Sequence, residues 1–444
     1  MADLPIPGGT QSSLPVIELP IPSTGARWTY TELEDAFPPQ PPVPEQRRCT
    51  IYPAVTKNSC YRLQFSSGLQ QQQQQEQPTS EVDYHDDEKE AKHTPSPVAT
   101  TLLHRTDNPS WVYYRLSTKP TIPLDHHTKG WGNVWFAVAY PVSTSTNDDG
   151  AATTTTTASP EPCPLVAIKE LSKAVVTDYL LDDGPENPFV ELCRLQEYRH
   201  ESLVLDCWEA LEDRDSLFFV SPRAVGGNLY DLVFCAPSLV PLSAQRIHNI
   251  FVQLLHVLAF LERQNIHHRD LSPDNILLDE HGRIQVMDFA LSMRIPVVDG
   301  QRTLIHHVGS FGTHAYLAPE VVSTNTAFDG VAADLWSVMV IFYNLQTRHK
   351  LYDQPLPSDV LFRHLVLEQK LVSREFNEFI FCKASRLEGA KTSPLYTRAV
   401  AHLNWSSDVQ ELLGKTLRAN VRTRWTLAQV MESKYVRNAP ATTT

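Results

Sequence analysis

The sequence predicts an α+β protein of two lobes, in which a strand-rich part is followed by a helical part. Short runs of β-branched and aromatic residues lie between about residues 111 and 220, and such runs favour strands. After residue 240 the apolar residues recur every three or four positions, which is the spacing of one helical face. Strands first and helices second indicate an α+β layout or two lobes.

Four runs are the expected strands of the first lobe: Trp111–Tyr114, Val134–Val142, Leu165–Lys169 and Leu217–Val220. Between the second and third runs, residues 143–160 are of low complexity and include a run of threonines. This composition predicts a loop inserted into a hairpin.

For two helices of the second lobe, the sequence predicts both the helix and the residues that it buries. Leu335–Leu345 is apolar nearly all round, which is typical of a buried central helix, and it is too short to span a bilayer. The other helix should bury one face formed by Ile247, Ile250, Phe251, Leu254, Leu255, Leu258 and Leu261.

The composition excludes several functions. The chain has 51 acidic and 38 basic residues, a net charge of −13, which argues against binding to nucleic acids or anionic membranes. Seven scattered cysteines without a CxxC pair predict reduced thiols and neither a disulfide framework nor a zinc site. The first residues lack the pattern of a signal peptide, so we expect a cytoplasmic protein, with the nucleus also open.

The N-terminal quarter is predicted to be disordered. Residues 1–105 include Gln70–Gln75 and an acidic run at 81–90, neither of which can bury a core. Pro38–Pro44 contains overlapping PxxP frames, which fit either an SH3-type partner or a solvated linker. Residues 437–444 are expected to form a short tail.

The strongest chemical signal is a loop that combines carboxylate and amide oxygens. The loop has the sequence HRDLSPDN over residues 268–275, and it precedes a predicted hairpin and then Asp288-Phe289-Ala290. These oxygens suit a general base and a hard cation such as Mg²⁺. They belong to Asp270, Asn275 and Asp288.

This pattern resembles the catalytic core of the eukaryotic protein kinases of the Ser/Thr type, from about residue 111 to 436. The resemblance implies a bilobal fold, with a smaller lobe over residues 111–223 and a larger helical lobe over 224–436. It also implies transfer of the γ-phosphoryl group of ATP, with Mg²⁺, to Ser or Thr hydroxyls of protein substrates. It implies Asp270 as the catalytic base, and Asn275 and Asp288 as the metal ligands.

The resemblance also extends to an ion pair in the first lobe. Val166-Ala167-Ile168-Lys169 matches the third strand of the kinase sheet, so Lys169 should reach the phosphates of ATP. Glu191 is implied as the partner that orients Lys169, and Glu186 and Glu197 are rivals for that position.

The expected adenine site includes Ala167, Leu277 as its floor, and Ser221 as the gatekeeper before a hinge at 222–224.

The glycine-rich loop departs from the family. In the register that we prefer, Gly132 is the third glycine and Val134 lies over the adenine. In the rival register, Gly130 and Gly132 are the first two glycines. The preferred register lacks two expected glycines, which restricts how closely the backbone can approach the phosphates.

The activation segment ends in GTHAYLAPE over residues 312–320, which resembles the GTxxYxAPE of Ser/Thr kinases. Small-molecule kinases share the HxDxxxxN loop but lack this anchor. The resemblance implies that Thr313 contacts Asp270, that Glu320 pairs with Arg424, and that Asp334 braces the catalytic loop.

Two substitutions in the family motifs leave it open whether the chain is an active kinase. Ser272 replaces the usual lysine of the catalytic loop and Ala290 replaces the usual glycine after Phe289. These departures keep an alternative open, a pseudokinase scaffold that binds partners without efficient phosphoryl transfer. Arg269 is suited to pair with a phosphate on the activation segment, for which Ser310 and Thr303 are the candidates.

Overall fold

The structure is a computed structural model. It describes residues 16–18, 52–57, 102–105, 111–116, 122–123, 131–146, 152–156, 164–182, 184–235, 242–306, 311–323, 327–386 and 394–438. None of the helices in these ranges combines the length and the apolar character that a bilayer-spanning helix requires. Pro38–Pro44 and Gln70–Gln75 lie outside the described residues.

The first lobe is a curled sheet that closes on itself. Its strands pair in the order β4-β3-β2-β9-β10-β8-β6, and β4 also pairs with β6, so seven strands form a ring. The strands up to the end of this lobe are β1 (Val16–Glu18), β2 (Tyr52–Lys57), β3 (Leu102–Arg105), β4 (Trp111–Arg115), β5 (Ile122–Pro123), β6 (Gly132–Thr146), β7 (Ala152–Thr156), β8 (Leu165–Ser172), β9 (Glu209–Glu212) and β10 (Ser216–Pro222).

Two strands of this ring come from the region that the sequence predicts to be disordered. Strand β2 runs parallel to β9, with Tyr52 opposite Leu211, and antiparallel to β3. Strand β3 pairs in turn with β4. The expectation of disorder over residues 1–105 is therefore wrong for β2 and β3, whose backbone partners in the ring composition alone does not reveal. It is also wrong for β1, which pairs with residues Leu304–His306 of the second lobe.

The interior of the ring is a small apolar core of its own. Leu103 of β3 and Tyr113 of β4 are fully buried there, beside Trp135 of β6. The polar atoms of its aromatic residues find partners, since the Tyr113 hydroxyl donates to Glu209 at 2.7 Å and Trp135 Nε1 donates to Glu170 at 2.5 Å. The remaining members are Ala137, Ala139, Val166, Ile168, Leu211, Phe218 and Val220.

The segment predicted as an inserted loop is partly a hairpin. Strand β6 continues to Thr146 and pairs with β7, with Val142 opposite Thr156. The loop prediction for residues 143–160 is therefore wrong for the strand residues. β-Branched threonine and valine favour extended backbone, and pairing overrides the low complexity.

The second lobe is built around two buried helices, as predicted. All seven apolar residues expected on the first of them, α3, are buried, and so is every residue of Leu335–Leu345 in α5. In the described ranges the α-helices are α1 (Lys173–Leu181), α2 (Pro188–Glu197), α3 (Ala244–Arg263), α4 (Pro319–Val322), α5 (Gly330–Thr347), α6 (Arg374–Ala384), α7 (Pro394–Leu403), α8 (Ser407–Thr416), α9 (Leu427–Met431) and α10 (Lys434–Arg437).

Short strand pairs frame the cleft side of the second lobe. The predicted hairpin after the catalytic loop forms from β12 and β13, with Ile276 opposite Val286. Strand β17 pairs in parallel with β1, with Val16 opposite Leu304. The strands are β11 (Ile266–His267), β12 (Ile276–Leu278), β13 (Ile284–Val286), β14 (Met293–Arg294), β15 (Val297–Val298), β16 (Gln301–Arg302) and β17 (Leu304–His306).

Candidate active site

A buried ion pair joins the sheet of the first lobe to helix α2. Lys169 Nζ lies 2.9 Å from Glu191 Oε1 and 2.7 Å from Oε2, so the predicted pairing is present. Burial alone would lower the pKa of Lys169, but the carboxylates of Glu191 and Asp288 more than offset it and raise that pKa. Lys169 therefore stays cationic in this partly buried pair. The rival Glu197 instead pairs with Arg194 and Arg294.

Helix α2 begins at a residue that also contacts the activation segment. The Asn187 side chain accepts hydrogen bonds from the backbone N–H groups of Phe189 and Val190, and Pro188 occupies the first helical position. The backbone N–H of Asn187 donates to the carbonyl oxygen of Ala290 at 2.8 Å. The helix that carries Glu191 is thus tied to the segment that follows Asp288.

The catalytic loop holds Asp270 from two sides. Asn275 Nδ2 donates to Asp270 Oδ2 at 2.9 Å, and the same nitrogen donates to the Asp270 carbonyl oxygen. Asp270 Oδ1 accepts from the backbone N–H of Thr313 at 2.7 Å and from its hydroxyl at 2.8 Å. The predicted contact between Thr313 and Asp270 is confirmed, and both carboxylate oxygens are fixed in place.

Asp288 has a left-handed backbone, with φ of +62°. Asparagine and aspartate tolerate this region better than most residues, although it is unfavourable for any side chain. The next residue, Phe289, is fully buried and its ring lies 4.7 Å from that of His268. Ala290 is not among the described residues with positive φ. Ala290, which replaces the usual glycine, therefore carries no left-handed strain, and the strained residue is Asp288 instead.

Two further predicted contacts are present in the second lobe, and one of them supports the catalytic loop. Asp334 of α5 accepts from the backbone N–H groups of His268 at 2.8 Å and Arg269 at 3.2 Å. Arg424 forms a bidentate pair with Glu320, at 2.6 and 2.8 Å, of which the Arg424 side chain is 2% exposed. Both contacts confirm the expected structural pairs, and their burial keeps water from weakening them.

The register of the sheet brings the expected adenine residues to one face. Val134 lies opposite Lys169, and Ser221 lies opposite Ala167. Directly opposed residues of antiparallel strands project to the same side, and so do residues two apart in one strand. Leu277 lies on β12, where it is partly buried. The roles of these residues in binding adenine stay predictions.

Gly132 has a packing reason to be glycine. A Cβ at this position would collide with the backbone carbonyl of Glu170 on the neighbouring strand. The missing side chain therefore permits close approach between β6 and β8, whatever role the residue has toward phosphates. Gly130, the other glycine of the rival register, lies outside the described residues.

An acidic cluster surrounds Lys169. Glu186 precedes α2, and its pKa is raised to about 7 by burial and by the neighbouring carboxylates of Asp288 and Asp270. Such a concentration of negative charge favours a cation. No group of three or more His, Cys, Asp or Glu side chains in the described ranges is arranged to hold a metal by itself. The donors fit Mg²⁺, which typically takes one or two carboxylates and completes its shell with phosphates and water.

The structure of the activation segment argues against one of the two candidate phosphorylation sites. Thr303 is 2% exposed, and its hydroxyl donates to the carbonyl oxygen of Pro296 at 3.1 Å. It is therefore inaccessible in this conformation, and our prediction for it is wrong. Ser310 lies outside the described residues. Arg269, the predicted phosphate partner, is partly buried; desolvation lowers its pKa to about 10, and it donates to the Leu291 carbonyl oxygen.

The cysteine prediction also needs correction. Cys193 on α2 is disulfide-bonded, and its partner lies outside the described residues. Cys207, Cys235 and Cys382 are free, as predicted.

The family model described as "Protein kinase domain" matches residues 150–436, which is more than half of the chain. The chain belongs to the protein kinase family. Its kinase domain is similar to CBL-interacting protein kinase 9 of Oryza sativa subsp. japonica, with 29% identity over 55% of this chain and 45% of the relative. It is similar to CBL-interacting serine/threonine-protein kinase 15 of Arabidopsis thaliana, with 36% identity over 35% of each chain. The chain thus spans about half or less of the length of these relatives.

The sequence reasoning missed two features of this kinase domain. Asn187 was overlooked although Asn followed by Pro188 is a recognisable helix start. The strand at Tyr52–Lys57 was overlooked although its valine and threonine favour extended backbone. In both cases a local signal existed, but its partner lies too far along the chain to be inferred.

Proposed function

We propose that this chain is an ATP-dependent protein kinase that phosphorylates Ser and Thr hydroxyls of protein substrates. The observation that carries the proposal is the ion pair between Lys169 and Glu191 at 2.7 Å, formed while Asp270 is held by Thr313. An intact pair and an oriented base are both required before phosphoryl transfer can proceed. The alternative, a binding scaffold, has no comparable support among the described contacts.

Asp270 is suited to orient the substrate hydroxyl and to accept its proton. A carboxylate has about four lone-pair sites, so the bonds from Asn275 and Thr313 leave capacity for a substrate hydroxyl. Those bonds fix the direction of the carboxylate, which favours an attack geometry without further reorganisation. The arrangement of Thr313 over Asp270 accords with a Ser or Thr acceptor, as the resemblance implies.

Lys169, Asn275 and Asp288 would hold the nucleotide and its metal. Asn275 uses its amide nitrogen for Asp270, which leaves its amide oxygen for Mg²⁺. Lys169 offers a positive charge where phosphate oxygens would lie. Mg²⁺ and ATP, when bound, supply the transferred phosphoryl group and offset its negative charge. Protein residues contribute mainly position and charge.

The departures from the family pattern do not remove these groups. Ser272 is 1% exposed and carries no charge, so the phosphate-directed lysine of other kinases is missing here. Ala290 retains the backbone carbonyl that Asn187 contacts. We expect both departures to lower the rate without abolishing transfer. The similarity covers less than half of each relative, so it does not assign the binding partners of those proteins to this chain.

A transfer assay tests the proposal. Purified chain, Mg²⁺ and γ-labelled ATP are incubated with a generic basic protein substrate, with Asp270→Asn as the inactive control and Thr313→Ser as the conservative control. We expect phosphoserine and phosphothreonine with wild type and Thr313→Ser only. If wild type matches Asp270→Asn while still binding Mg·ATP, the chain is a scaffold and the proposal fails.

A further inference from the structure

One large side chain at the start of β6 lies in the core that contains helix α2. Trp131 is 2% exposed and belongs to the same buried cluster as Leu192 and Leu195 of α2. Trp135, four residues further along in β6, lies instead in the core of the closed sheet. Trp131 therefore packs into the main core, to which helix α2 also contributes Leu192 and Leu195.

The backbone at Trp131 is fixed as firmly as its ring. Ser172 at the end of β8 donates its N–H to the Trp131 carbonyl oxygen at 2.7 Å. Gly132 follows, where a side chain would collide with Glu170. The start of β6 is thus pressed against the end of β8, three residues after Lys169, and has little freedom to slide.

The ring of Trp131 contacts Tyr179 of α1 edge to face. Their centroids lie 4.6 Å apart with planes at 74°. Tyr179 is itself held, because a side chain at Gly184 would overlap its ring and because the Glu186 backbone contributes a hydrogen bond to it. The chain from Tyr179 through Gly184 leads directly into Asn187, the first capping residue of α2.

We propose that Trp131 is a positioning residue for nucleotide binding, acting through Tyr179 on helix α2 and its Glu191. The inference rests on the proposed function, since it concerns the same nucleotide site. Two of the glycines that let other kinases adapt this region are missing in our preferred register. Trp131 replaces that adaptability with a packed contact, which sets β6 and α2 at one fixed distance before the nucleotide arrives.

Matched substitutions of the two tryptophans test the proposal. Trp131→Leu and Trp135→Leu each remove one buried indole, one just before β6 and one within it, and keep an apolar side chain. We expect Trp131→Leu to raise the Kd for a fluorescent Mg·ATP analogue and the KM for ATP about tenfold. Trp135→Leu should lower the Tm but leave both constants within about twofold. Trp131→Phe, which keeps an aromatic edge contact, should restore most of the affinity.

A double-variant cycle keeps the test decisive if Trp131→Leu folds poorly. Tyr179→Leu breaks the same contact from helix α1, and the combined variant should weaken binding no more than either single variant does. Equal Kd values for wild type and Tyr179→Leu, or an equal loss in the Trp131 and Trp135 variants, would overturn the inference. Because Kd is measured without phosphoryl transfer, an inactive wild type that shows the expected shifts would defeat the proposed function and leave this inference supported.

Discussion

The backbone N–H of Asn187 donates to the carbonyl oxygen of Ala290 at 2.8 Å, which ties the start of helix α2 to the start of the activation segment. The same residue caps the helix with its side chain. A movement of the segment after Asp288 would therefore pull on the helix that carries Glu191. The conformation of the loop after Asp288 and the Lys169 ion pair are linked through one residue.

Asn187→Ala should lower activity by loosening this link. The substitution removes the cap of α2, which costs about 1 kcal/mol, but leaves the backbone bond to Ala290. We expect kcat/KM to fall about five- to tenfold if that energy is expressed at the ion pair. Asn187→Ser retains a capping oxygen and should stay near wild type. Equal kinetics for the alanine and serine variants would show that the cap does not influence catalysis.

Ala290→Gly should change the transfer rate by no more than about tenfold. Ala290 is outside the left-handed region, so the added freedom of glycine relieves no strain at this position. Asp288→Asn should remove nearly all activity and weaken Mg·ATP binding, because it removes the charge of the proposed metal ligand. Initial rates of the three proteins decide the matter. Activity in Ala290→Gly alone, with wild type at background, would support the scaffold alternative.

Leu103→Ala should destabilise the first lobe although Leu103 precedes the expected start of the domain. Leu103 is fully buried in the closed sheet, and truncating a buried leucine costs about 2–5 kcal/mol. Leu116→Ala is the matched control, since Leu116 is 36% exposed and should cost little. Denaturant unfolding gives both free energies. A Leu103 variant as stable as the control would mean that β3 does not belong to the folded domain.

His402 should make stability depend on acid pH. Burial, with help from Arg398 and His349, lowers the pKa of His402 to about 3, and its ring nitrogens contact Tyr343 and Asn377 at 3.0 Å. Because the unfolded chain binds the proton more tightly, this stabilisation is complete above the ordinary pKa near 6.5 and is lost as the pH falls toward 3. Between pH 7 and 5 the loss is about 2 kcal/mol.

The check compares the free energy of unfolding at pH 7 and 5 in wild type and His402→Gln. The glutamine variant should be less stable at pH 7 but should lose about 2 kcal/mol less on acidification. Parallel pH dependence in the two proteins would show that His402 is not the titrating group.

Much of the catalytic half was predictable because its signals are local. The spacing of Asp270, Asn275 and Asp288 lies within one loop and hairpin, so a short stretch of sequence specifies the whole arrangement. The buried residues of α3 and α5 follow from the pattern of apolar residues. A helix buried on one face, such as α3, has apolar residues every three or four positions, and a helix buried on all sides, such as α5, is apolar nearly throughout. Thr313 and Glu320 were found through the resemblance.

The remainder depends on partners that are distant in sequence. Nothing in the sequence indicates that Thr303 is buried. Its hydrogen bond to the Pro296 carbonyl oxygen shows that the chain between residues 296 and 303 folds back on itself. The bond between Asn187 and Ala290 involves two backbone groups, which no side-chain pattern encodes. Trp131 and Trp135 look equivalent in sequence, yet they lie in separate cores.

The ring of strands has a consequence for the order of events during synthesis. Strand β2 emerges from the ribosome long before β9, its parallel neighbour, and Tyr52 must wait for Leu211 before that pairing can begin. Pairings so far apart in sequence form late and slowly. An early, apolar segment is therefore left without its neighbour while much of the first lobe is made. In the cell, this is the interval in which a chaperone would find the nascent chain most exposed.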